Sequence, residues 1–312
     1  MKRKLIITSI ILAATSVNAQ TITVPIEWNS NTTIDTPISA LIDTDTSANR
    51  IALLANSGAT VNLMGPSIEV TFSVSEYDVA TTFAGIRATD GATLNLGGDE
   101  TKNINVSVSE NGPDLGSSPI AIGINAIKFN GQSAPELFVS AENLVVNVHS
   151  EDGAAYGIQV GNGTVGSTDK KATLVINAKN TLINATSGRE GGAHGIVALS
   201  EGQLAINGNL EVNSENVISA RGDAVIRINE SGTNTVVLNG DIDFNYSAGS
   251  SGTKIDADVL VNLTGASSQW TGNVQRSHDI EPTADKAQVT GFKLIVADNA
   301  QWNPTIITSI KF

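Results

Sequence analysis

Most of the chain alternates apolar and polar positions in runs of four to seven residues. One set of runs reads "NINVSVS" (103–109), "NLVVNVH" (143–149), "NTLINAT" (180–186) and "NLEVNSE" (209–215). A second reads "LFVSA" (137–141), "ATLVIN" (172–177), "GQLAING" (202–208) and "TVVLNG" (235–240). A period of two puts Ile, Leu and Val on one side of an extended segment and Asn, Thr and Ser on the other, which predicts short β-strands. Gly-Ala, Asn-Gly and Asp-Gly mark the corners between them, where Gly and Asn take positive φ at little cost. After the first 19 residues, no 3.6-residue apolar pattern extends beyond two turns, so helices are not expected.

The runs belong to a repeat. "LLANSGATVNLMG" (53–65) aligns with "IRATDGATLNLGG" (86–98) at an offset of 33. A Gly-Ile pair recurs at Gly85-Ile86, Gly123-Ile124, Gly157-Ile158 and Gly195-Ile196. Val225-Ile226 takes the same place in the alignment of "GDAVIRINESG" with "GAHGIVALSEG". The unit is three short strands, two tight turns and one longer loop in 30–38 residues. A β-sandwich and a right-handed parallel β-helix both use such elements. Recurrence of Ile86, Ile124, Ile158, Ile196 and Ile226 at one place in the unit favours the β-helix, because stacked coils turn that place into an interior column. The expected fold is therefore all-β, a right-handed parallel β-helix of three-strand coils. It should have six to eight rungs over roughly 30–40 Å at ~4.8 Å per rung, with loops bulging at 110–119, 150–156 and 186–194.

The first residues read differently. Lys2, Arg3 and Lys4 precede an apolar run from Leu5 to Ala14, and Val17-Asn18-Ala19 has small residues at the places an export peptidase reads. This predicts a signal peptide over 1–19, with 20–312 as a single β-helical domain and its last rungs over 259–312. The apolar run is shorter than the ~20 residues of a membrane span.

Composition narrows the chemistry. Lys and Arg number 18 against 31 Asp and Glu, a net charge of −13, and clustered basic residues for phosphate contacts are lacking, so no nucleic-acid partner is expected. Absence of Cys excludes disulfides, thiolate metal sites and a thiol nucleophile. The chain has 30 Asn and only 4% aromatic residues, which suits a narrow aliphatic prism with amides at its corners. His149, His194 and His278 show no metal-ligand spacing, and no G-x-S-x-G occurs. Asp43/Asp45, Asp241/Asp243 and Asp256/Asp258 each put two carboxylates on one side of a strand. They read as solvated faces, and calcium-loop patterns are absent. A β-helical polysaccharide lyase would need acids and a basic residue aligned over neighbouring rungs, whereas Lys128, Lys170, Lys171, Lys179 and Arg189 are scattered. No metal or cofactor, and no enzymatic activity, is expected. The one binding triplet is Arg221-Gly222-Asp223, whose charges at a loop tip would suit an integrin-type receptor.

The C-terminal part carries a more specific pattern. "LTGASSQWTGNV" (263–274) and "VADNAQWNPTIITSI" (296–310) both read strand, small-residue turn, Trp, strand. The pair resembles the last passenger rungs of bacterial autotransporters of the pertactin/AIDA type. Trp270 and Trp302 match the two Trp places, Gly265, Gly272, Ala300 and Ser309 the small-residue places, and Asn299 stands where that family commonly has Gly. The resemblance implies a passenger exported across the outer membrane of a Gram-negative bacterium and displayed at the cell surface or released. Its partners would be host or bacterial surface molecules, or a second copy. It also implies an autochaperone segment and a C-terminal outer-membrane barrel, whose alternating strands are not found after residue 275. A rung ending at Phe312 would leave backbone unpaired, so the sequence is expected to be cut short or to continue in a partner. Flat ladders of Asn, Thr and Ser point to adhesion or self-association, and a secreted pectin-lyase-like, carbohydrate-active β-helix is the alternative.

Overall fold

The computed structural model describes residues 19–44, 50–75, 81–112, 119–129, 131–162, 171–245, 257–275 and 291–305. The expected signal peptide over 1–19 lies outside them except for its last residue, as do His278, Asp45 and Asp256. All described segments belong to a parallel β-helix.

The first coil is β1 (Gln20–Ile22), β2 (Ile26–Trp28) and β3 (Thr32–Ile34), and the second β4 (Ile38–Thr44), β5 (Ile51–Ala55) and β6 (Thr60–Leu63). The third is β7 (Ser67–Val74), β8 (Thr82–Ala88) and β9 (Thr93–Leu96), and the fourth β10 (Asn103–Glu110), β11 (Ile120–Lys128) and β12 (Glu136–Val139). The fifth is β13 (Asn143–Ser150), β14 (Ala154–Asn162) and β15 (Ala172–Ile176), and the sixth β16 (Asn180–Ser187), β17 (Ala193–Ala198) and β18 (Gly202–Ile206). The seventh is β19 (Asn209–Arg221) and β20 (Val225–Ile228), and the eighth β21 (Val236–Asn245) and β22 (Asp258–Thr264). The ninth is β23 (Gln269–Thr271), β24 (Val274–Gln275) and β25 (Gly291–Ala297), and β26 (Gln301–Asn303) opens a tenth.

Each strand pairs in parallel with its counterpart one coil away, which makes three faces. Face 1 runs from β1 through β4, β7 and β10 to β26, face 2 from β2 to β24, and face 3 from β3 to β25. In the seventh and eighth coils, β19 and β21 turn the corner from face 1 to face 2 without interruption, with a register shift between Asn213 and Asn216. Ten levels at a strand spacing of ~4.8 Å give a rod about 43 Å long, longer than the six to eight rungs expected.

The core is a set of aliphatic columns. On face 2, Leu53, Ile86, Ile124, Ile158, Ile196, Ile218 and Ile242 lie in successive register, and all are buried. The Gly-Ile pair has a steric cause. A Cβ on Gly123, Gly157 or Gly195 would lie 2.4, 2.3 or 2.2 Å from Val146, Ile183 or Val212, which fill the prism from face 1. Two consecutive residues turn inward there, and only a residue without a side chain fits the first place.

Three expectations need correction. Ile226 does not continue the Ile column: it sits on face 3 between Leu204 and Val259, and Ile218 takes the predicted place. For the same reason "TVVLNG" belongs to face 1, where Val236–Asn239 pair with Leu210–Asn213. The seventh coil has lost its corner loop, so an alignment that assumes constant spacing slips onto the next face. The loop expected at 150–156 is also shorter, since β13 ends at Ser150 and β14 begins at Ala154.

Connections from face 3 to face 1 take two to seven residues, whereas the stretches of chain between strands reach nine residues from face 1 to face 2 (111–119) and fifteen from face 2 to face 3 (276–290). At the C-terminal end, Trp302 stacks on Trp270 with ring centroids 5.2 Å apart and planes 7° from parallel. Each indole donates one coil down, Trp270 Nε1 to the Gly240 carbonyl (2.8 Å) and Trp302 Nε1 to that of Gly272 (3.0 Å). Asn299 takes φ 66°, the left-handed conformation its place requires.

Candidate functional site

Face 1 presents the expected ladders. Asn209 donates to Asn180 (3.0 Å), Asn180 to Asn143 (3.0 Å) and Asn143 to Asn103 (3.1 Å). Four residues along the strands, Asn239 donates to Asn213 (2.7 Å), Asn213 to Asn184 (2.9 Å) and Asn184 to Asn147 (2.8 Å). In every link the Nδ2 of one coil donates to the Oδ1 of the preceding coil, so the amide dipoles align along the rod and polarise one another. Identical residues in identical backbone positions repeat one rotamer, which is why the direction never reverses. The second ladder continues toward the first coils as Ser107, Thr71 and Leu41. Beside the first ladder runs a shallow trough of about 460 Å³ whose floor includes Val145, Leu182 and Val237. A second trough, of about 280 Å³, meets His149, whose Nδ1 lies 3.0 Å from Thr186 Oγ1 and whose Nε2 lies 3.2 Å from Glu151 Oε2.

Face 2 differs, because its outer side is buried as well. Two outward rows cross the coils there. Ala84, Ile122, Tyr156, His194 and Asn216 form one, and Arg87, Asn125, Gln159, Val197, Ser219 and Asp243 the other. The apolar members Ala84, Ile122, Tyr156 and Val197 make a second hydrophobic cluster outside the prism. The polar members are buried with them: Arg87 is 7% exposed, His194 8%, and Asn125 and Ser219 0%. His194 packs edge-on against Tyr156, and its Nδ1 lies 2.7 Å from Ser219 Oγ. Burial holds its pKa down to about 4, the nearby Arg221 guanidinium acts in the same direction, and a hydrogen bond to the backbone of Gly191 opposes them. The ring is therefore neutral at pH 7. Burial likewise lowers Arg87, to about 10, so it stays charged at neutral pH.

The Arg221-Gly222-Asp223 triplet forms the short corner between β19 and β20 rather than a projecting loop. Gly222 has φ 60°, and a Cβ there would lie 2.0 Å from Ser200 Oγ. Asp223 is exposed, and its Oδ1 accepts a hydrogen bond from the Glu201 amide (2.7 Å). Arg221 turns toward His194, with its Nε buried and unpartnered. The two charges of the triplet thus serve different neighbours. Of the acidic pairs, Asp241 and Asp243 share the outer side of face 2, with Asp241 Oδ1 accepting from the Asn273 amide (2.8 Å). Asp258 pairs with Arg227 on face 3. Among the described residues, no three His, Cys, Asp or Glu side chains gather in metal-binding geometry, and no helix is long and apolar enough to cross a membrane.

Sequence reasoning missed the outer side of face 2, although a signal was present. The residue directly after each Gly-Ile pair is Arg87, Asn125, Gln159 or Val197. Polar residues recurring at one place of the unit form a row just as apolar ones do. The chain matches no known protein family, no curated protein and no solved structure.

Proposed function

We propose that the protein is an exported, passenger-like rod that acts by contact, adhering to host or bacterial surface molecules or to a second copy through face 1, without catalysis. The observation that supports this is the pair of polarised asparagine ladders on an open face. Each amide offers both a donor and an acceptor, so a stack of them is complementary to another polar, repetitive surface and to itself. Shape and hydrogen bonding would repeat at the coil spacing, which lets many weak contacts add along the rod.

A triple substitution Thr71→Glu, Ser107→Glu, Thr271→Glu tests it, since all three side chains point outward from face 1. Sedimentation and cell-surface binding should drop at least tenfold while the circular dichroism spectrum is kept. Undiminished binding would remove face 1 from the mechanism. Export is tested by expressing the chain with and without a downstream outer-membrane barrel and measuring surface display. A second reading, a carbohydrate-active β-helix, draws on Asp241, Asp243 and Arg221, which share the outer side of face 2 in adjacent coils. Polysaccharide cleavage that is lost in Asp243→Asn would favour it.

A further inference from the structure

The residues after the first two Gly-Ile pairs, Arg87 and Asn125, are register partners in successive coils, so their side chains leave the sheet side by side, about 4.8 Å apart. Arg87 is 7% exposed and Asn125 is 0%. The Nε of Arg87 and both polar atoms of Asn125, Oδ1 and Nδ2, are sealed from solvent without a hydrogen-bond partner. Neighbours in the same outward rows carry no compensating charge: Leu54 and Gln159 lie before and after them, and Ala84 and Ile122 lie beside them. Ion pairs among the described residues leave Arg87 out.

Such a pair is costly as it stands. A buried amide without partners loses its full hydration, and a buried guanidinium without an anion loses more. Native proteins satisfy nearly all such groups, and exceptions mark an ion, water or ligand site. The unmet demands are specific: negative charge for Arg87, an acceptor for Asn125 Nδ2 and a donor for Asn125 Oδ1. Water meets the last two and leaves the cation unpaired. Acetate or sulfate meets the first two and leaves Oδ1 bare. A hydroxy acid meets all three.

We propose that Arg87 and Asn125 form a binding site for a small organic anion bearing a carboxylate and an adjacent hydroxyl, as in a hydroxy acid or a sugar acid. The carboxylate accepts from the Arg87 guanidinium and from Asn125 Nδ2, and the hydroxyl donates to Asn125 Oδ1. Charge-assisted bonds to a planar guanidinium favour this anion class by geometry as well as by charge. The site lies on face 2 and is independent of the contact role assigned to face 1.

Thermal unfolding of the purified protein in glycolate, gluconate or acetate, at matched ionic strength, tests the assignment. Glycolate and gluconate at several times their Kd should raise the Tm by about 2–4 °C, acetate by less, and Arg87→Met and Asn125→Leu should abolish the response. In ligand-free buffer the same two variants should be at least as stable as the wild type, because each removes an unsatisfied buried group. The proposal is overturned if glycolate gives no more protection than acetate. It is also overturned if the ligand-free variants melt several degrees lower, which would mean that Arg87 and Asn125 are already satisfied from within the chain.

Discussion

At the scale of the residue, the structure depends on a few positions where side-chain size or polarity admits one solution. Gly157 is one: a Cβ there would lie 2.3 Å from Ile183 and 2.5 Å from the Gly195 carbonyl. Gly157→Ala should destabilise the fold by about 2 kcal/mol, in the range of overpacked cores, measured by urea unfolding. Thr181 is the opposite case. It occupies an interior place between Leu144 and Leu210, and its buried hydroxyl lacks a partner. Thr181→Val keeps the shape and removes an unsatisfied group, so it should stabilise by about 1 kcal/mol. His194 links the fold to pH. Its native pKa of about 4 lies below the ~6.5 of an unfolded histidine, so the native state binds fewer protons between those values. The Tm should hold above about pH 6.5 and fall as the pH drops toward 4, and His194→Asn should lose this component of the slope.

At the scale of the element, strand order and pairing follow from repetition, and departures from it are informative. Each coil adds one residue to every column, so the alternation within a strand assigns its inner and outer sides. The Gly-Ile pair, the Asn places and the two Trp places were all readable on that basis. Ile226 was not, because β19 and β21 pass through a corner where other coils insert a turn. Sequence spacing measures chain length between landmarks, whereas face membership depends on where the chain bends. The asparagine ladders also belong to this scale. Asn184 donates to Asn147 and accepts from Asn213. Asn184→Asp keeps the acceptor, removes the donor and should lower stability by about 1 kcal/mol. Asn184→Ala should cost a similar amount, because both links are lost at a half-buried site that water still reaches.

At the scale of the whole molecule, each coil pairs its strands with those of the adjacent coils, so stability is close to a sum of coil and interface contributions. The middle coils are sandwiched on both sides. The ninth is covered less well: β25 is only partly buried throughout, and Val296 is 44% exposed. Native-state hydrogen exchange should therefore show the strongest protection in β13, β14 and β16, with β25 and β26 exchanging first. Uniform protection along the rod would contradict this gradient. Faces 1 and 2 give the rod two unlike sides. One is open and repetitive, and the other buries a polar row beneath its surface.

Sequence alone determined the all-β character, the coil as the repeating unit, the aliphatic columns and the amide ladders, because periodicity in a stacked fold copies local chemistry directly into space. Tertiary structure decided the number of coils, the face to which Ile218 and Ile226 belong, and the fate of the Arg-Gly-Asp triplet. It also decided that Arg87, Asn125, His194 and Ser219 are buried on the outside of the prism. A polar residue pointing out of a strand reads as solvated in any one-dimensional pattern. Burial depends on what the rest of the chain lays across it, and that is a property of the folded whole.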